Sequence, residues 1–307
     1  MQASHKLVTK QNHRSPDATN TGESGEAEQR VSGTTRLYVV IGDPVTQVQS
    51  PALMNPLFAR LGIDAVLVPV HAKPAHLAEV VGGLRRVGNV DGIFVTVPHK
   101  AAVVALADRC GPMVEVTGSA NALRRDPDGS WYAENFDGVG FVTGLVGAGH
   151  DPKGSRVALV GAGGAGSAIA AALLAAGADR LSVCDPDTAK LAGLRSRLDA
   201  HWPDRTVTST EPRVDGAGIV VNATPLGLRP DDPLPFRPEA LPSGIVVADI
   251  IMKPRETRLL REAAALGHRV HYGIHMLDGQ LDSYRAFFGL GDDYQIEGCD
   301  VPGADIP

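Results

Sequence analysis

Arg156-Val-Ala-Leu-Val160-Gly161-Ala162-Gly163-Gly164-Ala165-Gly166-Ser167-Ala168 decides the architecture of this chain. A short β-branched run, glycines in G-x-G-x-x-G spacing and an alanine-rich stretch reaching about Ala176 predict a strand, a tight turn and a buried helix. Gly161 permits the turn, Gly163 lets backbone approach a pyrophosphate, and Gly166 lets the helix lie close on the strand. The N–H groups that open the helix, around Gly164 and Ala165, are unpaired by helix geometry and sit at the positive end of its dipole. Such a terminus suits phosphates, so the motif points to a dinucleotide. The plainer alternative is a tight turn that binds nothing. Val157–Ala178 carries no charged residue and is long enough to cross a bilayer. Its opening glycines, its scarcity of large apolar side chains and the flanking Arg156 and Asp179 favour the strand, turn and helix instead.

Outward from that motif, apolar runs at Leu181–Cys184, Gly218–Val221 and Val246–Ile250 alternate with segments of helical period, the pattern of a parallel sheet with crossover helices. Asp185 follows the first of these runs, Leu181–Cys184, about 20 residues past the glycines, where a carboxylate accepts bonds from the adenosine ribose and repels a 2′-phosphate. That favours NAD, with NADP possible. Alternatively, Asp185 only caps the helix that begins near Asp187. Arg195 and Arg197 lie too far along that helix for a phosphate clamp.

The first half alternates too, with strands expected at Arg36–Ile41, Ala65–Val70 and Gly92–Val97, and helices at Pro51–Leu61, Pro74–Arg86 and Ala101–Ala107. Ala120–Arg124 and Trp131–Glu134 flank Asp126-Pro-Asp-Gly129, a turn composition that predicts an antiparallel hairpin and hence a mixed sheet. The fold class is therefore α/β in two domains: an N-terminal mixed α/β substrate domain and a C-terminal Rossmann dinucleotide-binding domain. Residues 1–35 read as a disordered extension, 36–137 as the substrate-binding and catalytic domain, 138–274 as the dinucleotide domain, and 291–307 as an irregular tail. An amphipathic helix over 275–290 returns to complete the first domain. Across 307 residues, 29 Lys plus Arg against 35 Asp plus Glu give a net charge of -6. That balance discourages nucleic acid and anionic membranes as partners. Cys110, Cys184 and Cys299 have no zinc-type or redox spacing, which suits a reducing, cytoplasmic setting and implies no metal. The oligomeric expectation is a monomer or homodimer.

Three polar strings remain: Gln47-Val48-Gln49-Ser50-Pro51, Val95-Thr96-Val97-Pro98-His99-Lys100 and Asn135-Phe136-Asp137-Gly138. With the glycine loop, Asn222-Ala-Thr224 and Gln280, they form an ordered series that resembles the shikimate dehydrogenase family from about Val39 to Gln280. The resemblance implies reversible NAD(P)-dependent oxidation of shikimate to 3-dehydroshikimate, or of a close small cyclic hydroxy acid. It makes Lys100 and Asp137 the catalytic pair and places Ser50, Thr96, Asn121 and Gln280 around the substrate. On the cofactor side it places Gly161, Gly163, Gly164, Ala165, Gly166, Asp185, Asn222, Thr224 and Gly273. Oxidising a secondary alcohol requires a group that takes the hydroxyl proton as hydride departs, and an amine held by a carboxylate can do so. The bland readings are a solvated lysine and, for Asp137, an N-cap on a helix beginning at Gly138.

The chain departs from the family pattern at Val48, Phe94 and Phe136, and at Met252 after Asp249, so the resemblance implies a more apolar pocket. Quinate or aminoshikimate then become alternative substrates, and a weakly active dinucleotide-binding regulator is a further alternative. His99 and His275 flank matched positions and serve either packing or the cleft. With the late helix returning, Lys100 is expected opposite the glycine loop, with a hinge near Asp137 and Gly273.

Overall fold

The computed structural model describes residues 31–291. Two six-stranded sheets organise them. The first half contains β1 (Arg36–Gly42), α1 (Ser50–Arg60), β2 (Ala65–His71), α2 (Leu77–Leu84), β3 (Val90–Val95), β4 (Arg109–Cys110), α3 (Pro112–Thr117), β5 (Ala122–Arg125) and β6 (Trp131–Glu134). After α4 (Asp137–Gly147) come β7 (Arg156–Val160), α5 (Gly164–Ala175), β8 (Arg180–Cys184), α6 (Thr188–Asp199), β9 (Thr206–Ser209) and β10 (Ile219–Asn222). The chain continues through β11 (Val246–Asp249), α7 (Arg258–Ala265) and β12 (Arg269–His271) to α8 (Ile274–Phe288).

The first sheet has the order β2-β1-β3-β5-β6-β4. β1 pairs in parallel with β2 and β3, whereas β5 runs against both β3 and β6. That is the mixed sheet expected from the hairpin composition. The second sheet has the order β12-β11-β10-β7-β8-β9 with every pairing parallel. Counted from β7 this is the doubly wound order, whose ligand crevice opens where the strand order reverses, here between β7 and β10. Val157, Leu159, Val220 and Val247 are buried, as strands covered on both faces require.

The elements missed from sequence are short or polar. β4 has two residues, β9 is Thr206-Val-Thr-Ser209, β12 is Arg269-Val-His271, and α3 is a six-residue helix opened by Pro112 and closed by left-handed Gly118. None shows a full period of apolar residues. The helix expected over Pro74–Arg86 starts as a 3-10 turn, Pro74–His76, before α2. The expected extension lies outside the described residues except for 31–35, where Thr35 is buried and donates its hydroxyl to Asp64 at 2.7 Å. The expected tail lies outside them except for Gly291. Among the described residues no helix is long and apolar enough to cross a membrane.

Helix α4 positions the site, because its glycines let two neighbours approach closely. A Cβ on Gly140 would stand 2.5 Å from the Met276 carbonyl oxygen of α8, and one on Gly138 would stand 2.2 Å from the Ala168 carbonyl oxygen of α5. Any side chain there would force the helices apart. Asp137 opens this glycine-lined helix, so its carboxylate comes close to residues carried on α8.

Candidate active site

Lys100 follows β3 and is tied back to the sheet by its carbonyl, which accepts from the Ala120 amide at 2.8 Å. Its Nζ donates to Asp137 Oδ2 at 2.5 Å, with side-chain exposures of 12% for the lysine and 3% for the aspartate. The other carboxylate oxygen accepts from Asn121 Nδ2 at 2.9 Å and from Gln280 Nε2 at 3.1 Å. Lys100, Asn121 and Gln280, from three separate parts of the chain, thus converge on one anion. Asp137 is the first helical residue of α4 and Phe136 occupies the N-cap, so the expected N-cap role at a helix beginning with Gly138 is not what forms. The Asp137 amide instead donates to Asn135 Oδ1 at 3.0 Å.

The lysine stem packs against the glycine turn of the second half. A Cβ on Gly164 would lie 2.8 Å from Lys100 Cβ and 3.3 Å from its Cδ. Beside this contact Ser119 Oγ donates to the Gly164 carbonyl at 2.9 Å, and Asn135 Nδ2 donates to the Ser119 carbonyl, also at 2.9 Å. A continuous polar path therefore joins Asp137 to the opening of α5. Arg197, on α6, donates from its guanidinium to the Val116 and Thr117 carbonyls at the end of α3. That contact gives it a tethering place between the two sheets and agrees with its exclusion as a phosphate clamp.

The glycine turn has the steric character its spacing predicts. Gly161 has φ 108, and a Cβ there would meet the Ala223 backbone at 2.8 Å. A Cβ on Gly166 would lie 2.0 Å from the Gly161 carbonyl oxygen, whereas one on Gly163 would meet nothing within 4 Å. The open space at Gly163 is what a closely approaching pyrophosphate needs, and the first N–H groups of α5, from Gly164, Ala165 and Gly166, have no intrahelical acceptor. Asp185 stands at the end of β8, where Oδ2 accepts from the Ala162 amide at 2.8 Å and Oδ1 accepts from the Asp187 amide at 2.9 Å. The cap on α6 is Asp187, which accepts from the Ala189 and Lys190 amides. A carboxylate offers about four acceptor positions, and the two backbone amides occupy two of them at Asp185.

Across the crevice, Asn222 Oδ1 accepts from both the amide and the hydroxyl of Thr224, which shapes the turn after β10. Asn222 Nδ2 donates to Asp249 Oδ1 at 3.2 Å. Burial raises the Asp249 carboxyl to about 6. Gly273 precedes α8, and a Cβ there would meet the Ile250 and Ile251 backbone at 2.5 Å. Ser50 and Thr96 are half-buried at the C-terminal edge of the first sheet, at the start of α1 and just after β3, and their hydroxyls have no protein partner among the described residues.

The expectation of a pocket made apolar by Phe94 and Phe136 is not met. Both are core residues, 3% and 1% exposed, packed against Tyr284 with ring centroids 4.7 and 5.4 Å away. Val48 packs against the same cluster. Three aromatic side chains on α8, Tyr284, Phe287 and Phe288, draw these rings inward. His99 is buried and its Nε2 contacts the Ala72 carbonyl at 2.8 Å, the packing alternative. His275 is half-buried beside His271, with ring centroids 5.1 Å apart. Met252 packs on the second-sheet core. Sequence reasoning gave no role to Ser119, Asn135 or Tyr284. Asn135 stands in the quoted Asn135-Phe136-Asp137-Gly138 string and Tyr284 falls four residues after Gln280 on one helix face, whereas Ser119 carries no such signal.

Known proteins resemble this chain in sequence and in fold. Residues 40–123 match the family described as the shikimate dehydrogenase substrate binding domain. The shikimate dehydrogenase (NADP(+)) of Rubrobacter xylanophilus is 40% identical over 270 residues, covering 86% of this chain and 94% of the relative. The fold is shared with shikimate 5-dehydrogenase from Thermus thermophilus in complex with NADP(H) and shikimate, at 30% identity and TM-score 0.72, over 84% of this chain and 95% of that one. Quinate dehydrogenase from Corynebacterium glutamicum in complex with NAD is similar at 29% identity and TM-score 0.73, over 83% and 94% of the two chains.

Proposed function

The chain belongs to the shikimate dehydrogenase family, and on that premise we propose that it catalyses the reversible NAD(P)-dependent oxidation of shikimate to 3-dehydroshikimate. The carrying observation is Lys100 Nζ on Asp137 Oδ2 at 2.5 Å, with the lysine stem packed on Gly164 of the dinucleotide turn. Residues 36–137 together with α8 would bind the cyclic acid, and residues 138–274 the dinucleotide. Lys100 takes the hydroxyl proton as a neutral amine during oxidation and returns it as an ammonium during reduction. Asp137 orients that nitrogen, and the free hydroxyls of Ser50 and Thr96 supply hydrogen bonds to the substrate, as does the second Nε2 hydrogen of Gln280. When bound, the oxidised nicotinamide supplies the hydride acceptor. Gly161, Gly163, Gly164, Ala165 and Gly166 would hold the pyrophosphate, with Asn222, Thr224 and Gly273 lining the nicotinamide side.

Asp185 supports NAD as the preferred cofactor, since its carboxylate would repel a 2′-phosphate. The names of relatives point the other way, to NADP. Quinate is the second substrate reading, supported by the likeness to an NAD-bound quinate dehydrogenase. Initial rates with shikimate and quinate, each with NAD and NADP, test all of this in wild type and Lys100→Met. The proposal expects shikimate turnover that the variant lacks. Faster turnover of quinate would transfer the assignment to the second reading, and turnover of neither acid would defeat both.

A further inference from the structure

Tyr284 is 4% exposed and its ring is wedged among Phe94, Phe136 and Phe288. Its hydroxyl nevertheless accepts from Asn121 Nδ2 at 3.0 Å and donates to Gln280 Oε1 at 2.9 Å. Those are the two amides that donate to Asp137 Oδ1. We propose that Tyr284 is a positioning residue for the reaction, its hydroxyl fixing which end of the Gln280 amide faces Asp137 and the substrate. The inference rests on the assignment of Lys100 and Asp137 as the proton-transfer pair.

Hydrogen-bond direction is what sets this arrangement. A backbone N–H can only donate, and the Phe136 amide donates to Asn121 Oδ1 at 2.9 Å. Asn121 must therefore present its NH2 end to the other side, toward Asp137 and the Tyr284 oxygen. A phenol has one proton. With its oxygen accepting from Asn121, that proton goes to Gln280, which must show Oε1 to Tyr284 and Nε2 to the carboxylate. The direction set at one backbone amide thus passes through Asn121 and Tyr284 to Gln280. Flipping the Gln280 amide would aim its carbonyl oxygen at the Asp137 carboxylate. No other hydrogen bond holds Gln280 Oε1 among the described residues, so the phenol is what prevents the flip. Burial and the Asp137 charge raise the phenol well above its ordinary value, which keeps it neutral and able to donate.

Removing the hydroxyl leaves Gln280 Oε1 against an aromatic edge and frees the amide to turn. Asp137 Oδ1 then loses a donor, and more of its charge falls on Lys100, the charged group facing it among the described residues. The test is Tyr284→Phe, which preserves the ring packing, with Tyr284→Met as replacement should the Phe variant fail to fold. Dinucleotide affinity equal to wild type serves as the check on folding. Expected are a tenfold or greater loss in kcat/KM for shikimate, carried mainly by KM, and an upward shift of the rising, acid-side pH limb for oxidation, where the base must lose its proton. In the Tyr284→Phe background, Gln280→Ala should add little further loss, because both act through one amide. Wild-type KM and pH profile in a folded variant, or losses that simply multiply with Gln280→Ala, would overturn the proposal. A wild type without turnover of any cyclic acid overturns the site assignment and this inference with it.

Discussion

Replacing Lys100 by Met separates the charge of the amine from its bulk, and the structure sets the scale of two distinct losses. The first is catalytic. Removing a proton-transfer group typically costs 10²- to 10⁴-fold, about 3–5 kcal/mol in the barrier, and the loss should fall on kcat as well as kcat/KM. The second is a loss of stability. Asp137, with only 3% of its side chain exposed, keeps its bonds from Asn121 and Gln280 but loses its cation. Breaking a buried pair from one side costs about 3–5 kcal/mol, and the 12% exposure of Lys100 places this case near the lower end. In a protein of this size that is a fall of about 5 °C in Tm. Adding Asp137→Asn removes the stranded charge while preserving an oxygen for the two amides. The double variant should therefore melt above Lys100→Met yet remain as inactive. Initial-rate kinetics and thermal melts on the three proteins decide the matter. A single variant retaining more than about a tenth of wild-type kcat/KM, or a double variant less stable than the single, would refute the reasoning.

Asp185→Asn should weaken NAD binding by about 2–3 kcal/mol, near a hundredfold in Kd, and raise the NADP-to-NAD ratio of kcat/KM; an unmoved ratio removes Asp185 from the cofactor site. Gly163→Ala faces open space, so it should fold normally but bind dinucleotide at least tenfold more weakly, whereas Gly166→Ala, with its Cβ 2.0 Å from the Gly161 oxygen, should also lower Tm. Calorimetry and melts on the pair check this, and equal Tm losses would contradict it. Burial pushes Glu134 from 4.5 up to about 7. Because the folded value is raised, its stabilising contribution is fully present below pH 4.5 and is lost as pH rises through about 7. At 1.36 kcal/mol per unit that interval is worth about 3 kcal/mol, so wild type should lose that much relative to Glu134→Gln between pH 4.5 and 8; a Tm difference independent of pH would disprove it.

The parts of the fold legible in the sequence are those where local signal and burial agree. β7 with its glycine turn, the hairpin around Asp126-Pro-Asp-Gly129 and the helix after His275 combine a period with a turn residue, and each forms within one or two residues of its expected bounds. Elements such as β4, β9 and α3 escape because tertiary pairing forms them. Arg109 and Cys110 become a strand by pairing with Tyr132 and Ala133, a relation no local window contains. The candidate site divides similarly. Lys100, Asp137 and Gln280 stand in recognisable strings, and the structure brings them together. Ser119 and Asn135 link the site to the opening of α5; Asn135 opens the Asn135-Phe136-Asp137-Gly138 string, whereas Ser119 follows no pattern that marks it.

Phe94 and Phe136 show why a substitution against a family pattern does not by itself reshape a pocket. Taking each residue with its neighbours held constant puts an aromatic side chain in the cleft. Instead α8 carries Tyr284, Phe287 and Phe288 on the face that meets Phe94 and Phe136, and the rings fill one core. That arrangement leaves one polar atom, the Tyr284 hydroxyl, at the boundary between core and carboxylate. The packing of the first sheet and the hydrogen bonding of Asp137 are thus set by the same turns of α8, which holds Gln280 and Tyr284 at i and i+4. A core substitution at Phe94 should consequently disturb KM through the phenol before it disturbs Lys100, because the phenol is the first polar group in its path.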